Sequence, residues 1–430
     1  MSESKKYAIS ENAESHKGFI KKSGIFIFLT FMSSLFEIGF SGITSRLPEG
    51  GFATFGALFN LFFIVITPLT GIQFVVSKEI ASFMSLNEQD KAKFFAVRSI
   101  LYSFMFTIPV AILGFAFSKT IASFIRIETI TPVVLLMIVL VVYSPFPVLY
   151  GTIQGLKKFY VLGFVHFGWG LFRFLCAAIV IVVFTSGLNG FMLGVIGAVL
   201  ISSLSAYIPL RHFFKTPALK IESAEVTRAL ILILPIIFTI FCVNVMKNID
   251  IVFAKRFFDP LTANAYRCAT LVGSGFFTLS GIIMVMFPHV SEEKTLNRNP
   301  VVFLLKSFSV TIALGGIGLL IAFFAPGLVM RIITLGNIIP GAEPLIRIIG
   351  FAVLPVSLLY IMANYLLAKH STGFLPILAA GTILQIVTIL LNHDTPMRML
   401  IGIGAANLIT FAAMLIFLFF EHKKYLNKYV

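Results

Sequence analysis

Twelve apolar runs of about twenty residues, separated by short polar breaks, constrain this chain more than any other feature. A predominantly apolar segment of roughly 20 residues is long enough to cross a bilayer as an α-helix. The chain is 58% hydrophobic and 12% charged, a balance far more apolar than a soluble core requires. We therefore predict an all-α polytopic membrane protein. The predicted spans are residues 24–45, 52–77, 95–118, 130–153, 159–184, 188–210, 229–253, 262–288, 302–325, 344–367, 373–391 and 399–420.

The basic residues are distributed as expected for membrane topology. The chain has a formal net charge of +15, and about 22 of its 33 lysines and arginines fall on one side if the predicted helices alternate. The positive-inside rule makes that side cytoplasmic, so we expect both termini in the cytoplasm and an even number of spans. Because the charge follows the loops, it does not indicate a nucleic-acid partner. The three cysteines lie in spans without paired spacing, so we predict no disulfide and no metal site. We also expect no cofactor.

The two halves of the chain resemble each other at an offset of about 210 residues. The matching segments are "TPLTGIQFVVSKEIA" (67–81) with "FTLSGIIMVMFPHVS" (277–291), "RLPEGGFATF" (46–55) with "RFFDPLTANAY" (256–266), and "SPFPVLYGTIQG" (144–155) with "LPVSLLYIMAN" (354–364). Internal repeats of this kind are typical of transporters, and six spans per half give both halves the same orientation. We predict two six-helix lobes, residues 1–210 and 229–430, related by a pseudo-two-fold axis along the membrane normal. Residues 211–228 would form a cytoplasmic linker.

Polar side chains line one face of the first, second, seventh and eighth predicted spans, because residues three, four and seven apart share a helix face. An ionisable group at mid-bilayer costs at least ~2.5–3.5 kcal/mol, so such groups usually face a cavity or a partner. Since the repeat makes these four helices counterparts, we expect them to face a watery interior. The stripes are Ser34, Glu37, Ser41 and Ser45; Asn60, Thr67 and Gly71; Asn244, Lys247, Asn248 and Lys255; and Arg267, Thr270, Ser274 and Thr278.

The ionisable residues within the spans are mostly cationic, which favours an anionic substrate, because Arg and Lys can replace the water that a phosphate loses. A carboxylate in a low-dielectric cleft can change protonation or hold a cation, so the acidic residues are candidates for coupling to protons or sodium. The predicted substrate-binding residues are Arg173, Lys247, Arg267, Arg347, Asn60 and Asn244, and the predicted ion-coupling residues are Glu37 and Asp250.

Several of these charges have simpler structural explanations. Glu37 and Lys247 could form an ion pair across the lobes, and Asp250 could pair with Lys247 along one helix. Arg267 could extend to the outer interface from its helix end. The same explanation applies to Arg46, Glu49, Lys255, Arg256 and Asp259.

Two longer segments carry a family resemblance. They are "YGTIQGLKKF" (150–159), followed by "GWGLFRFLCAAIVIVVF" with Arg173, and "NIDIVFAKRFFDPLTANAYRCATLV" with Asp250 and Tyr266. These segments resemble the Wzx-type oligosaccharide flippases, in the superfamily that also contains MATE drug exporters, other polysaccharide exporters and lipid II flippases. The resemblance implies two six-helix lobes around a V-shaped central cavity lined by helices one, two, seven and eight, and alternating access.

The resemblance also implies a substrate and a location. The substrate would be a polyprenyl-pyrophosphate-linked oligosaccharide, moved from the cytoplasmic to the outer leaflet for cell-surface polysaccharide biosynthesis. We expect a multi-pass protein of a prokaryotic cell membrane, with membrane lipids and other glycan-assembly proteins as partners.

Two other functions remain alternatives. A MATE-like cation-coupled multidrug exporter would use the same fold but would favour an acidic or aromatic cavity, which the cation-rich set argues against. A membrane glycan polymerase or glycosyltransferase would need a sizeable outer loop with paired acids or a DxD-type metal site. The sequence has neither feature, so we expect a transporter and not an enzyme.

Overall fold

The protein is described by a computed structural model that covers residues 25, 28–48, 50–184, 187–215, 234–283, 286, 290, 301–369 and 371–429. These residues fold almost entirely into α-helices, and they contain no β-strand. The helices are α1 (Phe28–Thr44), α2 (Gly51–Val65), α3 (Thr67–Ser85), α4 (Gln89–Ala116), α5 (Ser118–Phe124), α6 (Thr131–Tyr143), α7 (Pro145–Gly155), α8 (Phe159–Phe184), α9 (Gly187–Tyr207), α10 (Arg211–Lys215), α11 (Leu234–Phe257), α12 (Pro260–Thr278), α13 (Val301–Phe324), α14 (Pro326–Ile333), α15 (Ala342–Ala368), α16 (Leu375–Leu391) and α17 (Pro396–Tyr429).

The helices have the length and composition of membrane spans. Eight helices of the described residues are long and apolar enough to cross a membrane, and α2 with α3, broken at Ile66, is a ninth candidate. The apolar helices α1 and α16 are shorter, and α12 is less apolar because its polar stripe includes Arg267. Each of the twelve predicted spans overlaps at least one of these helices. The predicted all-α polytopic membrane fold is therefore confirmed.

The outer faces of the long helices are apolar. On α4, Met105, Ile112 and Phe115 are each about 60% exposed, and on α13 the side chain of Phe324 is 77% exposed. A soluble monomer rarely exposes contiguous apolar surface of this extent. These faces therefore suit contact with lipid tails, and the chain is a multi-pass membrane protein.

The described residues divide into two compact units that do not follow the halves of the sequence. Unit 1 comprises Met1–Phe40, Leu69–Ala116 and Val134–Ile231, and unit 2 comprises Ser41–Pro68, Phe117–Val133 and Leu232–Val430. Two segments of the first half, 41–68 and 117–133, thus pack with the second half. The predicted linker 211–228 lies outside the described residues from position 216 onward.

In unit 1, glycines allow close contact between helices. A Cβ atom at Gly151 would lie 2.6 Å from the carbonyl oxygen of Gln73, and one at Gly155 would lie 2.7 Å from that of Ser77. Two glycines four residues apart on α7 therefore let its backbone approach α3, as small residues do between membrane helices. The glycines of the "YGTIQG" segment accordingly serve packing.

In unit 2, buried amides join helices inside the bilayer region. Gln385 on α16 donates a hydrogen bond of 2.7 Å to the carbonyl oxygen of Met246 on α11. Asn407 on α17 donates one of 2.8 Å to the carbonyl oxygen of Ala352 on α15. Such interhelical bonds replace the water that a membrane core lacks. The first bond holds α11, which carries Asn244, Lys247 and Asp250, against α16, and the second joins α17 to α15.

Candidate functional site

In unit 1, the candidate residues Glu37 and Arg173 form an ion pair between α1 and α8. The Arg173 Nη1 atom donates to the Glu37 Oε1 atom at 2.7 Å. The arginine side chain is 5% exposed, whereas the glutamate side chain is 38% exposed. The carboxylate is therefore the accessible member of the pair. Glu37 has its cation inside its own unit, so the suggested structural pair with Lys247 is not needed to explain this charge.

Aromatic rings surround this ion pair. The Arg173 guanidinium carbon lies 4.2 Å from the centroid of the Phe40 ring and 5.5 Å from that of the Trp169 ring. Phe36 packs 5.7 Å from Phe174, measured between ring centroids. Rings that stack on a guanidinium fix its plane and contribute cation–π attraction. The unit 1 site is thus an accessible carboxylate on a rigid, buried arginine.

In unit 2, α11 carries Asn244, Lys247 and Asp250. Asn244 donates a hydrogen bond of 3.0 Å to the hydroxyl oxygen of Thr67 at the start of α3, so the polar stripes of the second and seventh spans meet here. The half-buried Lys247 ammonium lies 4.5 Å from the centroid of the Phe277 ring on α12. Within the described residues, Lys247 forms no ion pair with a carboxylate. A lysine held by a ring face keeps its positive charge available to an anion.

Asp250 is buried, and its hydrogen bonds are made within unit 2. The Tyr266 hydroxyl on α12 donates to Asp250 Oδ2 at 3.1 Å, and the Ile251 backbone N–H lies 2.8 Å from Asp250 Oδ1. Asp250 is therefore bonded to α12 and does not form the suggested ion pair with Lys247 on its own helix. The sequence placed Tyr266 at a recognisable family position, but it gave no sign of this bond.

Arg267 lies where α12 packs with α2, and Asn60 is on α2. Arg267 is 7% exposed and Asn60 is 8% exposed. A Cβ atom at Gly56 would lie 2.4 Å from Arg267 Cδ and 2.5 Å from Arg267 Nε, so the arginine side chain crosses α2 where a glycine leaves room. Arg267 is accordingly buried and does not extend to an interface.

Arg347 is separate from these groups. It is exposed, and it lies five residues after the first residue of α15. The structure thus places Asn244, Lys247, Asp250 and Arg267 on the neighbouring helices α11 and α12 of unit 2, and it places Asn60 on α2 of the same unit. It pairs Glu37 with Arg173 in unit 1.

The charges at the junction of α11 and α12 have structural roles. Asp259 is the N-cap of α12 and accepts from the backbone N–H groups of Leu261 and Thr262 at 3.0 and 3.1 Å. Hydrogen bonds from the Thr262 side chain and backbone lower the pKa of Asp259 below its usual value.

The other charges near this junction differ from one another. Lys255 is buried, so it does not extend to the membrane interface as the sequence had suggested. Arg256 lies 5.7 Å from the centroid of the Phe124 ring. Glu49 lies outside the described residues.

Comparison with known proteins finds similar structures for this chain. No protein-family model matches the sequence, and no curated protein matches it. An inward-facing multidrug resistance MATE family transporter of the MOP superfamily matches with a TM-score of 0.75 and 14% identity, over 94% of this chain and 98% of that one.

Two further matches are a lipid flippase and another MOP superfamily transporter. The lipid II flippase MurJ, in an inward closed conformation, matches with a TM-score of 0.65 and 13% identity, over 91% of this chain and 87% of that one. A Pyrococcus furiosus MOP superfamily transporter, described by a binding pocket of reverse polarity, matches with a TM-score of 0.58 and 14% identity, over 92% and 94% of the two chains. The chain therefore has the fold of MATE-type membrane transporters.

Proposed function

We propose that this protein is a flippase of the Wzx type, which moves a polyprenyl-pyrophosphate-linked oligosaccharide from the cytoplasmic to the outer leaflet by alternating access. The observation that carries the proposal is the Lys247 ammonium, which lies on an aromatic ring without a carboxylate partner among the described residues. Arg267 adds a second cation on the neighbouring helix. Two cations inside a transporter fold favour an anionic substrate.

The chemistry of these groups matches a pyrophosphate attached to a sugar. Lysine and arginine form charge-assisted hydrogen bonds with phosphate oxygens, and these bonds are stronger where water is excluded. The side-chain amides of Asn60 and Asn244 can donate to and accept from sugar hydroxyls. The polyprenyl tail would stay in the lipid, so the site needs to enclose only the head group.

The two carboxylates are proposed to couple transport to protons or sodium. Glu37 is accessible and paired with Arg173, so protonation of Glu37 would release the arginine for an anion. Asp250 is buried beside Tyr266, where a change in its charge would alter the electrostatic energy of the neighbouring cations. Arg347, exposed near the start of α15, would attract the anion before it reaches the buried groups.

The same proposal gives the location of the protein. A flippase for cell-surface glycans would lie in a prokaryotic cell membrane with both termini in the cytoplasm, in agreement with the distribution of basic residues. Enzymes that assemble the glycan would act before it and after it, and membrane lipids would surround it.

The proposal is tested by flipping of a fluorescent polyprenyl-pyrophosphate glycan in proteoliposomes. We expect Lys247→Gln and Arg267→Gln each to reduce the initial rate at least tenfold while the amount of folded, inserted protein stays unchanged. Lys306→Gln is the matched control, because the exposed Lys306 ammonium on α13 also lies against a ring, 5.9 Å from the centroid of Phe303. Full flipping activity in both site variants would overturn the cationic-site proposal.

A cation-coupled multidrug exporter is the second candidate, and one observation favours it. The Glu37 carboxylate is accessible and lies on α1 with Phe36 and Phe40, and a carboxylate with aromatic residues on the same helix suits an aromatic cation. The same proteoliposomes, loaded with a cationic aromatic dye and given a proton or sodium gradient, separate the two functions. Dye export that is lost in Glu37→Gln, without flipping of the lipid-linked glycan, would establish the exporter and reject the flippase.

A further inference from the structure

The segment between α1 and α2 is hydrogen-bonded to the loop that follows α14, and both belong to unit 2. The Arg46 guanidinium reaches two carbonyl oxygens of this loop: Nη2 donates to Leu335 at 2.8 Å, and Nη1 donates to Thr334 at 3.3 Å. Asn337 donates from Nδ2 to the Ser45 carbonyl oxygen at 2.8 Å and to its hydroxyl oxygen at 3.2 Å. We call Ser45, Arg46, Thr334, Leu335 and Asn337 the latch.

The backbone of the latch holds Leu335 in an uncommon conformation. Leu335 has a φ of +50°, in the left-handed region that non-glycine residues rarely adopt. Its side chain packs on Gly42 of α1, where a Cβ atom would lie 2.4 Å from Leu335 Cγ. A strained residue persists when its surroundings hold it in place, and such residues are frequent in segments that switch conformation. The contacts with α1 thus help to keep this loop in its present form.

The same part of the chain places α2 over Arg267. The Asn264 Oδ1 atom on α12 accepts a hydrogen bond of 3.0 Å from the Ala53 backbone N–H in the first turn of α2. One turn further along both helices, the Arg267 side chain lies across Gly56. Only 7% of Arg267 is exposed. In this state α2 therefore covers the arginine, and a substrate cannot reach it.

We propose that the latch is a reversible gate that holds α2 over Arg267 and opens to admit the anionic group of the substrate. The inference rests on the proposed transport function, because an arginine that binds a phosphate must be uncovered at one step of the cycle. The latch suits repeated opening, since the described bonds run from neutral or cationic side chains to main-chain carbonyls and a hydroxyl, without an ion pair. Its two sides belong to the same unit but are about 290 positions apart in the sequence, so these side-chain bonds and the packing of Leu335 on Gly42 join them.

The first experiment measures how accessible position 267 is, without any substrate. The three native cysteines are replaced by alanine, and Arg267→Cys is labelled by a membrane-impermeant maleimide. Loss of a charged hydrogen bond in Arg46→Gln should raise the labelling rate about tenfold. Asn337→Ala should raise it in the same direction, which protects the test against a folding defect in one variant.

The control for this experiment removes a different exposed arginine of unit 2. Arg398 pairs with Asp394 at 3.0 Å, one turn apart near the start of α17, so Arg398→Gln should leave the labelling rate unchanged. Equal labelling rates in the parent, Arg46→Gln and Asn337→Ala would overturn the latch.

The second experiment locks the latch. Ser45→Cys with Asn337→Cys should form a disulfide on oxidation, because the two side chains are already in contact. We expect flipping to stop on oxidation and to recover on reduction. The matched control is Thr107→Cys with Ser144→Cys, because these two hydroxyls are also in contact but lie in unit 1, outside the latch. Undiminished flipping by the oxidised latch variant would overturn the gate.

The two experiments separate failure of the gate from failure of the proposed function. Labelling of Arg267→Cys requires no transport, so faster labelling in the latch variants supports the gate even for a protein that does not flip a glycan lipid. Unchanged labelling rejects the gate even if Lys247→Gln abolishes flipping.

Discussion

An alanine at position 56 should lower the free energy of unfolding, because Gly56 lies against the side chain of Arg267. In Gly56→Ala, the new Cβ atom would lie 2.4 Å from Arg267 Cδ. Carbon atoms in contact prefer about 3.5–4.0 Å, so α2 or the arginine must move by more than about 1 Å. Overpacking of this kind costs about 1–3 kcal/mol, whereas alanine gains about 1 kcal/mol over glycine in a helix interior.

Gly275→Ala is the matched control, because Gly275 lies on α12 and a Cβ atom there meets nothing within 4 Å. Control and test share the helix gain, so the free energy of unfolding of Gly56→Ala should be about 1–3 kcal/mol below that of Gly275→Ala. Thermal or denaturant unfolding of the purified protein in detergent measures the difference. In an Arg267→Ala background the difference should disappear, because the clashing atoms are gone. Equal stability of the two alanine variants in the Arg267 protein would refute the predicted contact.

Two further predictions concern α12. Tyr266→Phe removes the hydroxyl that donates to the buried Asp250, so the free energy of unfolding should fall by about 1.5 kcal/mol, measured by the same unfolding assay; an unchanged value would show that this bond does not contribute. Hydrogen bonds from Thr262 lower the pKa of Asp259, so the stability that this cap adds is present at neutral pH and is lost as the pH falls below about 4. Asp259→Asn keeps a capping side chain without the titration, and parallel stability curves for the two proteins between neutral and acid pH would contradict the assignment.

The lengths of the apolar segments predicted the membrane-spanning helices, because a helix is one of the few structures that can cross a membrane. The polar stripes also predicted which helices carry the unit 2 site: Asn244 and Lys247 lie on α11, Arg267 lies on α12, and Asn60 lies on α2. Helical periodicity is local, so one sequence suffices to read it.

The partners of the charged residues could not be predicted in the same way. Glu37 pairs with Arg173, 136 positions away, and periodicity within one helix contains no information on that distance along the chain. The importance of Gly56 was also missed, since a single glycine in an apolar helix has no visible role until the opposing side chain is known. The latch residues Ser45 and Asn337 follow two different helices, and the hydrophobic pattern of the helices does not predict which loops contact each other.

We propose that the unit 2 site binds an anionic lipid head group through Lys247. The most direct measurement is equilibrium binding of a short-chain polyprenyl pyrophosphate and of the matching neutral polyprenol to the wild-type protein and to Lys247→Gln. The wild-type protein should bind the pyrophosphate about tenfold or more tightly than the alcohol, and Lys247→Gln should lose that preference. Equal affinity of the wild-type protein for the two lipids, or a preference that survives in Lys247→Gln, would contradict the claim.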